Sequence, residues 1–72
     1  MTYGEKAVGL RFNPSGDAKV QKIKELYAQI IDICDEGRAG EDSGEYWRLY
    51  TIAIEKAMTA QMWAVKAITW RD

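Results

Sequence analysis

Residues 45–70 read EYWRLYTIAIEKAMTAQMWAVKAITW, and within them Ala53, Ala57, Ala60, Ala64 and Ala67 recur at steps of four, three, four and three. That spacing lays the alanines along one side of an α-helix, where small side chains let a neighbouring helix approach closely. Leu49, Tyr50, Ile54, Met58, Val65 and Ile68 flank the seam. With successive residues about 100° apart, Ile52, Trp63 and Trp70 project from one side of it, and Trp47 and Met62 from the other. An amphipathic surface helix needs an apolar stripe of roughly 100°, and this arc is far wider. One partner helix cannot cover it. Several copies are expected to pack together, since the alternative is a sticky surface exposed to water.

The chain ahead of this helix supplies one more long helix. The only proline lies in Asn13-Pro14-Ser15-Gly16. Asn caps well, and Pro at the first helical position loses no needed hydrogen bond, so helix one is predicted over about 14–36. Val20, Ile23, Tyr27, Ile30, Ile31 and Cys34 follow at steps of three and four and form its apolar stripe, with Lys22, Glu25, Gln29 and Asp32 opposite. Glu36-Gly37-Arg38-Ala39-Gly40-Glu41 has two glycines and no apolar rhythm, so Gly37 should end the helix and a loop should cover 37–42. Asp42-Ser43-Gly44-Glu45 has capping-box spacing and opens helix two, over about 43–70. The expected fold is all-α: an antiparallel hairpin of two main helices (13–72) behind an N-terminal arm (1–12), assembling into a compact helical homo-oligomer. Tyr3, in the arm, is read either as a lid over a pocket or as part of a frayed end.

Size and composition agree with assembly. A chain of 72 residues has a thin stability margin, which small domains offset with disulfides, a metal or oligomerisation. Cys34 is the only cysteine and there is no histidine, which excludes an internal disulfide and a thiolate–imidazole zinc site. The net charge is −1 and the basic residues are scattered, so no DNA or RNA polymer is expected as partner. The opening MTYGEKAVGLRF shows no unbroken apolar run behind basic residues, and no stretch approaches the roughly 18 apolar residues of a membrane span. A soluble cytoplasmic protein with no membrane partner is expected, and a lone reduced cysteine agrees.

Catalysis finds no footing. There is no histidine and no glycine-rich phosphate loop between a strand and a helix. Asp32 with Asp35 or Glu36 reads as solvated carboxylates, and Cys34, at the end of the apolar stripe, as a small core residue. No catalytic residue, metal or cofactor is expected.

Arg11-Phe12-Asn13-Pro14-Ser15 is more informative. It joins a guanidinium, an aromatic ring, an amide and a hydroxyl to the expected N-terminus of a helix. Free N–H groups there favour phosphate, Phe12 can stack on a base, and Arg11 can pair with phosphate oxygens. Lys24, on the polar flank of helix one, adds a cation. In the bland alternative Asn13 only caps, Phe12 staples the chain onto the helix, and Arg11 and Lys24 are solvated.

The run Ala60-Gln61-Met62-Trp63-Ala64-Val65-Lys66-Ala67-Ile68-Thr69, with Ile54-Glu55-Lys56-Ala57 before it, resembles the second helix of the phage anti-CBASS and anti-Thoeris sponge family of Acb/Tad-type hairpins. Val20-Gln21-Lys22-Ile23-Lys24 is similar to that family's opening helix, and the likeness spans roughly residues 10–70. It implies a homo-oligomer, a hexamer, whose pockets between protomers hold cyclic dinucleotides without cleaving them. In some relatives the ligands are cyclic trinucleotides or cyclic ADP-ribose isomers. The resemblance implies ligand contacts at Arg11, Phe12 and Lys24, to which the chemistry of the segment adds Asn13, Pro14 and Ser15, and it implies a second site at Lys66, with Thr69 and Trp70 as its neighbours. It also implies the cytoplasm of an infected bacterial host cell. The rival reading from another class is an oligomeric helical-hairpin interaction module that binds a partner protein through Trp47, Trp63 and Trp70 and takes no nucleotide.

Overall fold

A computed structural model describes residues 1–40 and 44–72 as three helices, α1 (Tyr3–Val8), α2 (Ala18–Gly37) and α3 (Glu45–Ile68). The two long helices pack as an antiparallel hairpin, as expected. The short α1 lies in the segment read as an arm. Thr2 and Glu5 close a capping box around its first turn: Thr2 Oγ1 accepts from Glu5 N at 3.1 Å, and Glu5 Oε1 accepts from Thr2 N at 2.8 Å. α1 then runs back along α2, with Gly4 N donating to Asp32 Oδ1 at 2.7 Å and Val8 entering the core beside Ala28 and Ile31. Tyr3 is neither a lid over the Phe12 end nor a frayed residue. Its ring faces the Arg38 guanidinium at 5.6 Å, and the same guanidinium lies 5.9 Å from the Trp47 ring and donates to Thr51 Oγ1 at 3.1 Å. Arg38 thus ties all three helices together at the C-terminal end of α2.

α2 begins at Ala18, not near Pro14 as the Asn-Pro pair predicts. Gly16 is the physical reason. Its φ of 65° is left-handed and breaks any helix that starts at Pro14. The preceding residues form a closed polar loop: Asn13 Nδ2 donates to Asp17 O at 3.1 Å, Ser15 Oγ to Asn13 Oδ1 at 2.8 Å, and Asp17 N to Ser15 Oγ at 3.1 Å. Asp17 is the cap, its carboxylate accepting from Lys19 N at 2.7 Å and Val20 N at 3.4 Å.

The buried line of α2 is Val20, Lys24, Ala28 and Ile31, with Tyr27 and Cys34 partly buried against the core. Ile30, expected in the stripe, is exposed. The line that faces both neighbours runs through a lysine and an alanine, and α1 comes close because Gly4 has no Cβ, which would stand 2.8 Å from Asp32 Oδ1 and 2.9 Å from the Ala28 carbonyl carbon. Gly37 does end α2, although not through a left-handed φ. The Tyr50 ring lies against its backbone, and a Cβ at Gly37 would stand 2.7 Å from Tyr50 Cε2 and 2.8 Å from Cε1.

For α3, Gly44 occupies the N-cap position with no side-chain cap bond. The capping-box reading placed its cap on Asp42, which with Ser43 lies outside the described residues. Its other half is corrected, because Glu45 is the first helical residue and its carboxylate accepts from Arg48 Nε at 3.1 Å. Only Ile54, Ala57 and Gln61 of α3 are buried. Ala53, Ala60 and Ala67 of the small-residue seam are exposed, as are Leu49, Met62, Trp63 and Trp70. α2 therefore covers a single stripe of a helix that is apolar over most of its circumference. The chain is elongated and flat, 45 × 24 × 13 Å, and those side chains find no cover within it.

Candidate ligand-binding site

Lys24 lies on the core-facing line of α2 and is 6% exposed. A buried ammonium is costly unless it is hydrogen-bonded. Here Nζ donates to Gly9 O at 3.0 Å and to Phe12 O, which uses two of its three donors. This corrects the reading of Lys24 as a cation on a polar flank. The ammonium gathers the chain between α1 and α2 around itself and keeps one donor in reserve. It also stands 5.5 Å from the centroid of the Phe12 ring.

Phe12 is 72% exposed. It is not a staple on helix one, because a staple buries its ring. Lys24 thus holds the backbone of a residue whose aromatic face is open to solvent.

Phe12, Asn13, Pro14, Ser15 and Lys24 line one cavity of about 230 Å³, closed by Val20, Val65 and Thr69. A second cavity of about 330 Å³ shares Phe12, Lys24 and Val65 with the first and adds Val8, Gln61 and Met62. Five of the six residues expected at the ligand site therefore meet. Arg11 is exposed, lines neither cavity, and makes no ion pair among the described residues. The expected phosphate site on free helix N–H groups is corrected too. The first free amides of α2 point at the Asp17 carboxylate, which fills the place an anion would take.

The second set of residues divides. Lys66 Nζ lies 5.6 Å from the Trp63 ring and 6.0 Å from the Trp70 ring, on the exposed side of α3. Trp70 Nε1 donates to Asp72 Oδ1 at 3.0 Å. Thr69 instead joins the Phe12 cavity, its hydroxyl donating to Val65 O at 2.8 Å. Gln61 and Val65 were not placed at these cavities by the sequence reading. The signal was present in their steps of four, since Gln61, Val65 and Thr69 form one line on α3 opposite the start of α2.

The family model described as the hairpin domain of Acb2/Tad1 matches residues 5–69. The chain belongs to the Acb2/Tad1 hairpin family. Members of this family are known sponges for the cyclic nucleotides of CBASS and Thoeris signalling, and they are not catalysts. The matched span takes in most of α1, all of α2 and α3, and both cavities around Phe12. No curated protein and no solved structure matches the chain. Among the described residues no helix is long and apolar enough to cross a membrane. Sponge activity asks only for binding, and the candidate pocket offers an open aromatic face, a fixed ammonium, and polar loop atoms held by one another.

Proposed function

We propose that this Acb2/Tad1 hairpin sequesters a cyclic di- or trinucleotide in the pocket around Phe12 and Lys24, and that another copy of the chain completes the pocket in a homo-oligomer, a hexamer. The observation that carries this reading is the cavity that joins Phe12, Asn13, Pro14, Ser15 and Lys24. Its volume of about 230 Å³ falls below the ~300–1,000 Å³ usual for enclosed small-molecule sites. Together with the adjoining cavity it leaves the Phe12 ring 72% exposed in a single chain, and this open face supports a second copy as its cover. The exposed Phe12 ring would stack on a base, the remaining Lys24 donor would face phosphate, and Arg11, unpaired at the surface, would reach a second phosphate oxygen. A two-fold interface suits a ligand with two phosphates, because it presents the same residues to each half.

Assembly is supported by the width of the apolar surface on α3 and by the small core, in which Val20, Ile31 and Ile54 are the largest fully buried side chains. Lys66 between Trp63 and Trp70, with Thr69 a turn away, is proposed as a second ligand site, supported by the exposed indoles and their cation. The setting we propose is the cytoplasm of an infected bacterial cell, where a decoy lowers free signal stoichiometrically once its affinity exceeds the signalling concentration.

The test is calorimetry of the protein with cyclic dinucleotides, cyclic trinucleotides and cyclic ADP-ribose isomers, with its mass in solution measured in parallel. A sponge should gain about 2.7 kcal/mol of stability at a hundredfold excess of ligand over Kd and release the ligand chemically intact on heating. Absence of binding by all three classes, or a monomer at micromolar concentration, would overturn the proposal.

A further inference from the structure

Asp32 Oδ1 accepts from Gly4 N at 2.7 Å across 28 positions of sequence, and the stretch that starts at that bond ends in the Phe12 site. α1 is closed at both ends. The Thr2–Glu5 capping box fixes its first turn. At its far end Gly9, with a left-handed φ of 63°, donates to Lys6 O at 3.1 Å, and Leu10 N donates to Glu5 O at 3.0 Å. A short helix tied off in this way moves as one piece, so a shift at Gly4 reaches Val8 and Gly9. Those two residues belong to the candidate pocket. Val8 walls the cavity of about 330 Å³ shared with Phe12 and Lys24, and Gly9 O accepts from Lys24 Nζ at 3.0 Å. Among the described residues, two hydrogen bonds therefore join this unit to α2, one to Asp32 at its start and one to Lys24 at its end.

We propose that Asp32 is a positioning residue of the ligand site: it sets the register of α1 on α2, and through α1 the place of Val8 and of the Gly9 carbonyl that orients Lys24. The inference rests on the sponge reading above and adds a residue that acts at a distance, since Asp32 lines neither cavity around Phe12. The other contacts of α1 hold its register less sharply. The Arg38 guanidinium lies 5.6 Å from the Tyr3 ring, and a cation–π attraction at that range tolerates sliding. Val8 packs with Ala28 and Ile31, an apolar contact with no directional demand. An N–H···O bond of 2.7 Å weakens steeply once its angle or length changes. Gly4 supplies the matching restraint, because a Cβ there would stand 2.8 Å from Asp32 Oδ1 and 2.9 Å from the Ala28 carbonyl carbon. The seat of α1 is thus set by attraction to Asp32 and by the bare backbone at Gly4. A displaced α1 would withdraw Gly9 O from Lys24. The ammonium, left with Phe12 O alone, would then be free to swing from its place beside the Phe12 ring.

The experiment is calorimetry of wild type, Asp32→Ala, Asp32→Asn and Gly4→Ala with cyclic di-AMP, cyclic di-GMP, cyclic GMP–AMP and cyclic tri-AMP, with helix content, Tm and hydrogen exchange of residues 3–10 recorded without nucleotide. Asp32→Ala removes the acceptor, and Gly4→Ala presses α1 off its seat with Asp32 intact. Both should bind the nucleotide that wild type binds best about tenfold or more weakly, and both should exchange faster at α1 while the hairpin stays helical. Asp32→Asn keeps an Oδ1 acceptor and should restore affinity to within about twofold of wild type. Normal affinity in Asp32→Ala and Gly4→Ala, even with a lowered Tm, would make the bond a structural tie only and overturn the inference while the sponge reading stands. A loss in Asp32→Asn equal to that in Asp32→Ala would assign the effect to charge and overturn it too. Loss of helix content in both alanine variants would make α1 part of the fold itself, not an adjustable wall, with the same consequence. Failure of wild type to bind any of the four nucleotides removes the sponge reading and this inference together.

Discussion

The ammonium of Lys24 donates to the main-chain oxygen of Phe12, so the cation and the aromatic ring of the site are one mechanical unit. Two functions of Lys24 are thereby coupled, and substitution should expose both. Lys24→Met keeps the apolar stem and removes the donor. It should cost about 1–3 kcal/mol of stability through the lost bonds to Gly9 and Phe12, and it should also weaken ligand binding and flatten its salt dependence. Arg11 lies at the surface without an ion pair, so Arg11→Ala should flatten the salt dependence and leave the Tm within a degree or so. Thermal melts and binding isotherms at two ionic strengths separate the pair. An unchanged Tm for Lys24→Met would mean that the carbonyl bonds carry no weight.

Phe12 should behave in the opposite way. Its ring is exposed in the protomer, so Phe12→Ala removes little buried area, and the Tm without ligand should hardly move. Affinity for base-bearing ligands should fall by the worth of one stacking contact, about 1–3 kcal/mol, with the salt dependence retained. Calorimetry at two salt concentrations checks this, and a large loss of Tm with normal affinity would return Phe12 to the role of a hydrophobic anchor.

The cap of α2 offers a third test. Asp17, not Asn13, accepts from the first free amides of the helix. Asp17→Ala should therefore destabilise the protein by about 1 kcal/mol. Asn13→Ala should act through the loop alone, by loss of its bonds to Asp17 O and Ser15 Oγ. Because Asp17 also occupies the anion position at the helix end, its removal should not weaken ligand binding. Denaturant melts and titrations of the two variants provide the comparison.

The sequence was legible where a single physical rule acted alone. The helical character of α2 and α3, the end of α2 at Gly37 and the excess apolar width of α3 each follow from spacing and each agrees with the structure, whereas Ile30 of the expected α2 stripe is exposed. Competition between rules hid the remainder. Asn13-Pro14 is a good helix start in isolation, but Gly16 in the left-handed region overrides it and hands the cap to Asp17. Lys24 lies on a buried line, and its charge assigns it to the polar flank because nothing in composition reveals the carbonyls waiting for it. α1 is too short for periodicity to register, although Thr2-Tyr3-Gly4-Glu5 does carry capping-box spacing. The Gly37 helix end was legible in place and not in cause, since the requirement comes from Tyr50 in the following helix. Of the candidate site, the cluster at Phe12–Ser15 was readable from residue chemistry, whereas Thr69 reaches it only through the antiparallel return of α3.

The alanine seam supplies the last prediction, because its members differ in what they face. Ala57 is buried within the protomer, packed with Ile31 and Ile54, whereas Ala60 is exposed on the same helix. Leucine at either position adds the same three carbons. At Ala57 they must enter a filled core, and overpacking of this kind costs about 1–3 kcal/mol, so Ala57→Leu should lower the stability of the hairpin itself. At Ala60 the added atoms project into solvent in a single chain and can obstruct only a neighbouring copy. Ala60→Leu should therefore leave helix content intact by circular dichroism while shifting the mass measured by light scattering towards smaller species. It should also weaken ligand binding, since the open Phe12 face loses its cover. If Ala60→Leu retains the wild-type mass, copies of the chain do not approach through this seam, and the exposed tryptophans at 63 and 70 become the surface to examine for assembly.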